Sequence, residues 1–262
     1  MTYNTLKLEF ERDGALALLT LNRPEKRNAI SYQLIDELSA ALAEVERSSA
    51  RVLMITGAGN AFCAGLDLDN LKELIGRSAE QTRADTENIA RFFRMLYEFP
   101  LPTIAAVNGA AIAGGCGIAT LCDITVASTN AKFGYSEVKI GFVPAIVSSF
   151  LLRQVGEKVA RELLISGRNI DAEEAFRIGL INFICSPEQL MEQSHAIADS
   201  LLANSPTAMH ATKTLLRQYM AEDIDREIAM GLEANARSRM TEDFREGVRS
   251  FLEKRAPRWP GR

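Results

Sequence analysis

The chain has 262 residues, 47% of them hydrophobic and 24% charged, which are the proportions of a soluble globular protein long enough to bury a large core. Its net charge of −4 argues against a nucleic-acid-binding protein that relies on a basic surface. No segment approaches the roughly 18 apolar residues of a membrane span, and residues 1–7 lack a signal-peptide pattern. We therefore expect a cytoplasmic protein with no membrane partner and no nucleic-acid partner.

The first two thirds of the chain alternate between strand and helix patterns. Strands are predicted at 7–10, 15–21, 51–56, 103–107 and 124–127. Ser31 is the predicted N-cap of the first helix, and further helices are predicted over 68–74 and 83–99. Buried strands that alternate with helices favour an α/β fold with right-handed crossovers.

The pattern becomes almost wholly helical after Pro187. Helices are predicted over 188–202, 207–220, 225–239 and 243–255. We therefore divide the chain into a core over 1–200 and a helical region over 201–262. Apolar helices with little sheet to cover are typical of an oligomerisation surface, although packing on a core of their own is equally compatible.

The cysteines and histidines give no support for a metal site or a Ser-His-Asp triad. No CxxC motif occurs, and the two histidines have no partner at ligand spacing. We interpret the cysteines as small buried apolar side chains in a reducing compartment. These residues are Cys63, Cys116, Cys122, Cys185, His195 and His210.

Two glycine-bearing loops, 57–65 and 108–117, follow two of the predicted buried strands. Neither loop has the glycine or lysine spacing of a phosphate-binding motif. Each joins a strand to a helix start, where backbone N–H groups are unsatisfied and lie at the positive end of the helix dipole. Either loop alone is typical of a packing turn, but two loops directed at one point would form an oxyanion hole.

Seven short blocks, spread over the chain, carry a resemblance to a known family. In sequence order they are LNRPEKRNA at 21–29, AFCAGLDL at 61–68, AAVNG at 105–109, GGC at 114–116, CD at 122–123, FGYSE at 133–137 and EGVRSFLEKR at 246–255. On these blocks the chain resembles the crotonase family, also called the enoyl-CoA hydratase/isomerase superfamily, along essentially its whole length. The resemblance implies an α/β spiral of repeated ββα units with a helical C-terminal trimerisation region, commonly assembled as a dimer of trimers.

The resemblance also implies a site for an acyl-coenzyme A thioester. The backbone N–H groups of Leu66 and Gly114 would form the oxyanion hole, and Glu137 would be the general acid/base. The positions that would line the coenzyme A channel or contact coenzyme A are Lys26, Arg27, Ala29, Ala64, Asp67, Leu68, Phe251 and Lys254. No metal and no cofactor is implied, because coenzyme A arrives as part of the substrate.

Gly117 is a departure from the family's hydratase pattern, because hydratases generally carry the first of two catalytic glutamates at this position. Two carboxylates can divide the work of deprotonating water and protonating C2, whereas one can shuttle a proton between C2 and C4. The segment 133–148 nevertheless resembles a branch assigned to 3-methylglutaconyl-CoA-type hydration. We expect a hydratase or dehydratase, with a Δ3,Δ2-enoyl-CoA isomerase as the alternative and a non-catalytic binding or assembly protein as a third.

Overall fold

A computed structural model describes residues 2–262, apart from the side chain of Ala79. In chain order its strands and α-helices are β1 (Leu6–Glu11), β2 (Leu16–Leu21), α1 (Tyr32–Glu46), β3 (Val52–Gly57), β4 (Ala61–Cys63), α2 (Leu68–Leu74), α3 (Ala79–Tyr97), β5 (Thr103–Val107), β6 (Ala110–Ile112), α4 (Gly114–Leu121), β7 (Ile124–Ser128), β8 (Lys132–Gly134), α5 (Ala145–Ser166), β9 (Asn169–Asp171), α6 (Ala172–Arg177), β10 (Phe183–Cys185), α7 (Leu190–Leu202), α8 (Pro206–Ser238) and α9 (Glu242–Leu252). Short 3₁₀ turns lie at Pro24–Lys26, Glu137–Ile140 and Pro187–Gln189.

The strands form two sheets. The larger sheet has the order β1-β2-β3-β5-β7-β10, in which β1 and β2 are antiparallel and all later neighbours are parallel. The smaller sheet has the order β4-β6-β8-β9, with only β8 and β9 antiparallel. From β3 to α5 the chain repeatedly adds one strand to each sheet and then forms a helix. The predicted spiral of ββα units is therefore present.

Helix α1 shows how the local sequence builds these layers. The Ser31 side chain accepts a hydrogen bond from the Leu34 N–H, which is the predicted N-cap. The predicted apolar stripe of this helix is buried against the larger sheet: Leu34, Ile35, Leu38, Leu42 and Val45. The opposite face of that sheet is covered by α7, so the sheet is buried on both sides, as expected for parallel strands.

Several predicted elements differ from the structure. The helices predicted over 207–220 and 225–239 are wrong as separate elements, because one helix, α8, runs through both. No helix was predicted over α5, and the three-residue strands of the smaller sheet fell in predicted loops and turns. The predicted division at residue 200 falls in the last turn of α7 and stays a prediction.

The C-terminal helices pack back on the layer that precedes them. Helix α8 contacts α3 and α5, and α9 contacts the 3₁₀ turn Glu137–Ile140. Gly247 of α9 lies so close to Ile140 that a β-carbon built there would be 2.3 Å from the Ile140 carbonyl carbon. The tail therefore forms one wall around the turn that carries Glu137. No helix within residues 2–262 is both long enough and apolar enough to cross a bilayer.

Candidate active site

A cavity of about 410 Å³ lies between the two glycine loops, α3, the Glu137 turn and the C-terminal helices. Its wall is mostly apolar. Leu66, Gly114 and Glu137, the three residues predicted to carry the chemistry, all line it. The fold therefore brings these three residues to one cavity, although Leu66 and Glu137 are 71 positions apart in the sequence.

The two glycine loops contact each other directly. A β-carbon built on Gly65 would lie 3.1 Å from the Ile112 carbonyl oxygen, and one on Gly115 would lie 2.2 Å from the Cys63 carbonyl oxygen. Gly65 also has φ +89°, in the left-handed region that favours glycine. Only glycine permits this approach, which places Leu66 beside the start of α4.

The backbone N–H groups of Leu66 and Gly114 are free to bind a ligand. Ile30 donates to the Gly65 carbonyl at 2.7 Å and accepts from the Asp67 N–H at 2.8 Å, in a bridge that spans Leu66. Gly114 is the first residue of α4, where N–H groups lack an intrahelical partner. Among the described residues, neither the Leu66 nor the Gly114 N–H has a hydrogen-bond acceptor. Two such donors can hold a developing oxyanion.

Glu137 opens a 3₁₀ turn and is 9% exposed. Within the part of the chain that is described, its Oε2 atom has no hydrogen-bond partner. Burial raises the pKa of the carboxyl group from the ordinary value of 4.5 to about 7. A carboxyl group with that pKa can both accept and return a proton near neutral pH, which is what a general acid/base requires.

Comparisons with known proteins show the family of the chain. The sequence model of the enoyl-CoA hydratase/isomerase family matches residues 11–262. The chain belongs to the enoyl-CoA hydratase/isomerase family.

Individual members of the family match the chain over nearly its whole length. The short-chain-enoyl-CoA hydratase of Clostridium acetobutylicum is 37% identical over 248 residues, which cover 94% of each chain. The 2,3-dehydroadipyl-CoA hydratase of Escherichia coli is 36% identical over 263 residues, covering 98% of this chain and 99% of that protein. The crystal structure of an enoyl-CoA hydratase/isomerase from Xanthobacter autotrophicus superposes with a TM-score of 0.89 at 30% identity, covering 99% and 100% of the two chains. The predicted crotonase-like α/β fold is confirmed.

The predicted departure from the family's hydratases has a structural counterpart at Gly117. A β-carbon built on Gly117 would lie 2.7 Å from Val147 Cγ1 and 2.8 Å from Phe93 Cε1. Both side chains line the cavity. The space that a first glutamate would need is therefore filled by apolar side chains, and Glu137 is the only carboxylate in the cavity lining that the structure describes.

Among the predicted coenzyme A contacts, Ala64 and Phe251 line the cavity. Phe251 is 51% exposed, as expected for a side chain at an opening. The other six predicted contacts lie outside the lining: Lys26, Arg27, Ala29, Asp67, Leu68 and Lys254. Of these, Lys26, Arg27, Leu68 and Lys254 are exposed.

Asp67 has a structural role that the sequence did not indicate. The residue is 2% exposed, and its carboxylate accepts hydrogen bonds from Arg23 Nη2 at 2.7 Å and from the Asp69 N–H at 2.9 Å. It thus caps α2 and binds the 21–29 block to the first glycine loop.

Sequence reasoning missed a polar part of the cavity wall, formed by Thr86, Asn235 and Arg239. The sequence could have indicated Thr86, because its helical spacing from Ile89 and Phe93 places all three on one face of α3. Asn235 and Arg239 are four residues apart on α8 and its C-cap, and nothing in the local sequence distinguishes them from exposed helix positions.

No group of three or more His, Cys, Asp or Glu side chains within residues 2–262 could hold a metal ion. Cys63, Cys116 and Cys122 are buried, as predicted, and burial raises the pKa of each thiol to about 12. Cys185 is half-buried.

Proposed function

We propose that the protein is an enoyl-CoA hydratase, which adds water across a 2-enoyl-coenzyme A thioester or removes it in the reverse direction. The observation that carries the proposal is the single buried carboxyl group of Glu137 in a cavity that also presents the Leu66 and Gly114 N–H groups. The relatives described above are named as hydratases of short-chain enoyl-CoA and 2,3-dehydroadipyl-CoA, which supports the same reaction type.

In the proposed mechanism the thioester carbonyl oxygen accepts hydrogen bonds from Leu66 and Gly114. These donors stabilise the enolate that forms when oxygen adds to C3, and removal of one such donor typically costs about 2.7–4 kcal/mol of transition-state stabilisation. Ionised Glu137 takes a proton from the attacking water and then delivers it to C2, which regenerates the carboxylate. One carboxyl group with a pKa near 7 suffices for both transfers.

A Δ3,Δ2-enoyl-CoA isomerase is the second candidate, because a specific observation favours it. Phe93 and Val147 fill the place of the first glutamate, so that no second carboxylate is available to position water. In an isomerase Glu137 would remove a proton from C2 and return one to C4, with the same two N–H groups holding the enolate oxygen.

Absorbance of the conjugated enoyl thioester separates the two reactions. The enzyme is offered a 2-enoyl-CoA and, separately, a 3-enoyl-CoA. A hydratase bleaches the conjugated absorbance of the first substrate as water adds. Rapid gain of conjugation from the 3-enoyl-CoA, with no water addition to the 2-enoyl-CoA, overturns the hydratase proposal in favour of the isomerase.

We further propose that Lys26, Arg27, Ala29, Ala64, Leu68, Phe251 and Lys254 contact coenzyme A, and that no cofactor beyond that carried by the substrate takes part. The exposed position of Lys26, Arg27 and Lys254 suits phosphate groups outside the cavity.

We also propose that residues 201–262 form the surface of a homotrimer or a dimer of trimers. Large apolar side chains on α8 support this, because several are about half exposed or more: Leu215, Leu216, Tyr219 and Met230.

A further inference from the structure

Arg239 is a buried cation in the wall of the active-site cavity. The residue is the C-cap of α8, is 6% exposed and lines the cavity. A buried guanidinium group normally has an anionic partner and several hydrogen bonds, because removal of its charge from water is costly.

The described protein atoms satisfy this guanidinium poorly. Nη1 donates one long hydrogen bond, of 3.5 Å, to the Thr82 carbonyl oxygen. Nε is buried and has no partner among the described residues. The face of the group stacks on Phe142, with 5.1 Å from Cζ to the ring centroid. Several of the five N–H donors are therefore left for a ligand.

The nearby carboxylate, Asp85, already forms an ion pair with another arginine. Asp85 Oδ1 accepts from Arg77 at 2.8 Å, and its Oδ2 accepts from the Tyr32 hydroxyl at 3.3 Å. Arg239 Nη1 lies 4.0 Å from that Oδ2 atom, beyond hydrogen-bond distance. Two guanidinium groups thus share one carboxylate, and burial lowers the pKa of Arg239.

Helix α3 gives the position of Arg239 relative to the reacting atoms. Phe93 contacts the Gly114 end of the cavity, where its Cζ lies 3.6 Å from a β-carbon built on Gly114. Thr86 lies seven residues earlier, about 10 Å along the helix axis, where its hydroxyl donates to Asn235 Oδ1 at 3.0 Å. Thr82, which accepts from Arg239, is one further turn away. Arg239 is therefore at the end of the cavity remote from the proposed oxyanion hole.

We propose that Arg239 binds a carboxylate at the far end of the acyl group, so that the preferred substrates are coenzyme A thioesters of short dicarboxylic enoic acids. The inference rests on the proposed function for the orientation of the thioester. Arginine suits this task because its planar fork matches a carboxylate in a bidentate geometry. Binding of the substrate would supply the hydrogen-bonded anion that the guanidinium lacks.

The test uses saturated thioesters, so that no ligand is turned over. Calorimetry with the full-length protein compares adipyl-CoA with hexanoyl-CoA, and glutaryl-CoA with pentanoyl-CoA. The expected result is a preference of about tenfold or more for the dicarboxylic member of at least one pair, because a charged hydrogen-bonded pair contributes about 1.5–3 kcal/mol. Arg239→Met should reduce the preference ratio to about one, and Arg239→Lys should give an intermediate ratio. Arg237→Met, which removes an exposed arginine two residues away, is the matched control and should keep the wild-type ratio.

A wild-type protein that binds the monocarboxylic member of both pairs equally well or better overturns the proposal, whether or not any variant folds. A ratio that is unchanged in folded Arg239→Met does so too, because it would show that the arginine only packs on Phe142. A dicarboxylic preference without hydration of any 2-enoyl-CoA would support the Arg239 site and refute the proposed function alone. Absence of binding by all four thioesters would refute both.

Discussion

Phe93 lies where the side chain of a residue at position 117 would have to be, with its Cε1 atom 2.8 Å from a β-carbon built on Gly117. Val147 closes the same space from α5 at 2.7 Å. The missing first glutamate is therefore accompanied by an apolar wall, and an acidic side chain could not be added without displacing it. The site is built around one carboxylate.

Gly117→Glu should consequently fail to create a two-carboxylate hydratase. A glutamate there would be pushed among apolar side chains without a partner, and we expect a loss of about 2–3 kcal/mol in the free energy of unfolding together with lower turnover. Chemical denaturation and the hydration assay measure the two effects. Gly117→Ala is the control and should cost less, because Phe93 and Val147 meet its methyl group with only the ends of their side chains. A Gly117→Glu variant as stable as the wild type and faster in hydration would contradict this interpretation.

Glu137→Gln should abolish most of the turnover. The amide is of nearly the same size but cannot act as a general base, and the contribution of such a group is typically about 10²–10⁴-fold. Conjugated-enoyl absorbance measures the rate, and calorimetry with a saturated acyl-CoA should show that binding is largely kept. Glu173→Gln, an exposed glutamate on α6, is the matched control and should behave as the wild type. Equal and measurable turnover in Glu137→Gln and the wild type would show that Glu137 is not the general acid/base. Acyl-CoA binding with no turnover in either protein would favour the non-catalytic binding protein.

The raised pKa of Glu137 also predicts a pH-dependent stability. Its folded-state pKa of about 7 lies above the ordinary value of 4.5, so the neutral form is favoured by folding and its contribution is complete below about pH 4.5. That contribution is lost as the pH rises through 7. The difference between the two pKa values corresponds to about 3 kcal/mol in the free energy of unfolding. Glu137→Gln cannot ionise and should therefore gain stability relative to the wild type between pH 4.5 and 7, with a constant difference above about pH 7.5. Denaturant unfolding at several pH values measures the difference in the free energy of unfolding between Glu137→Gln and the wild type. A difference that does not change with pH would refute the raised pKa.

The sequence indicated those elements whose signal is local. Helix α2 and strand β5 have the predicted bounds, and Ser31 caps α1 as expected. The three-residue strands of the smaller sheet are too short for any periodicity to be read, and their pairing depends on contacts with distant strands. Helix α8 was divided in two because the acidic residues Glu222, Asp223 and Asp225 interrupt its apolar pattern, yet no proline or glycine occurs there to end a helix.

The site residues likewise fall into those that a local motif identifies and those that only the fold reveals. Leu66, Gly114 and Glu137 were identified by family motifs, and the structure brings all three to one cavity. Arg239 could not be identified, because its burial results from the packing of α8 against α3 and of its own side chain on Phe142 rather than from its neighbours in sequence. Asp67 lies in a family motif, but its partner Arg23 is 44 residues away, and only the fold shows that its carboxylate is already bound.

Substitution of Asp67 should therefore lower the stability of the protein in the first place, rather than its affinity for the substrate. Its side chain is 3% exposed and that of Arg23 is 18% exposed, and Arg23 also donates to the Ala29 carbonyl at 2.7 Å. Asp67→Asn keeps a side-chain acceptor for the cap of α2 but leaves the Arg23 cation without its counter-charge. We expect a loss of about 2 kcal/mol in the free energy of unfolding, measured by chemical denaturation.

Asp69→Asn is the matched control on the same helical turn. The Asp69 carboxylate pairs with the exposed Lys26 and Lys72, so the loss of its charge should change stability less. If Asp67 instead contacted coenzyme A, the asparagine variant would keep its stability and bind acyl-CoA more weakly in calorimetry. That outcome would contradict the structural role, because an ion pair that joins the 21–29 block to the first glycine loop cannot be broken without loosening the loop that presents Leu66.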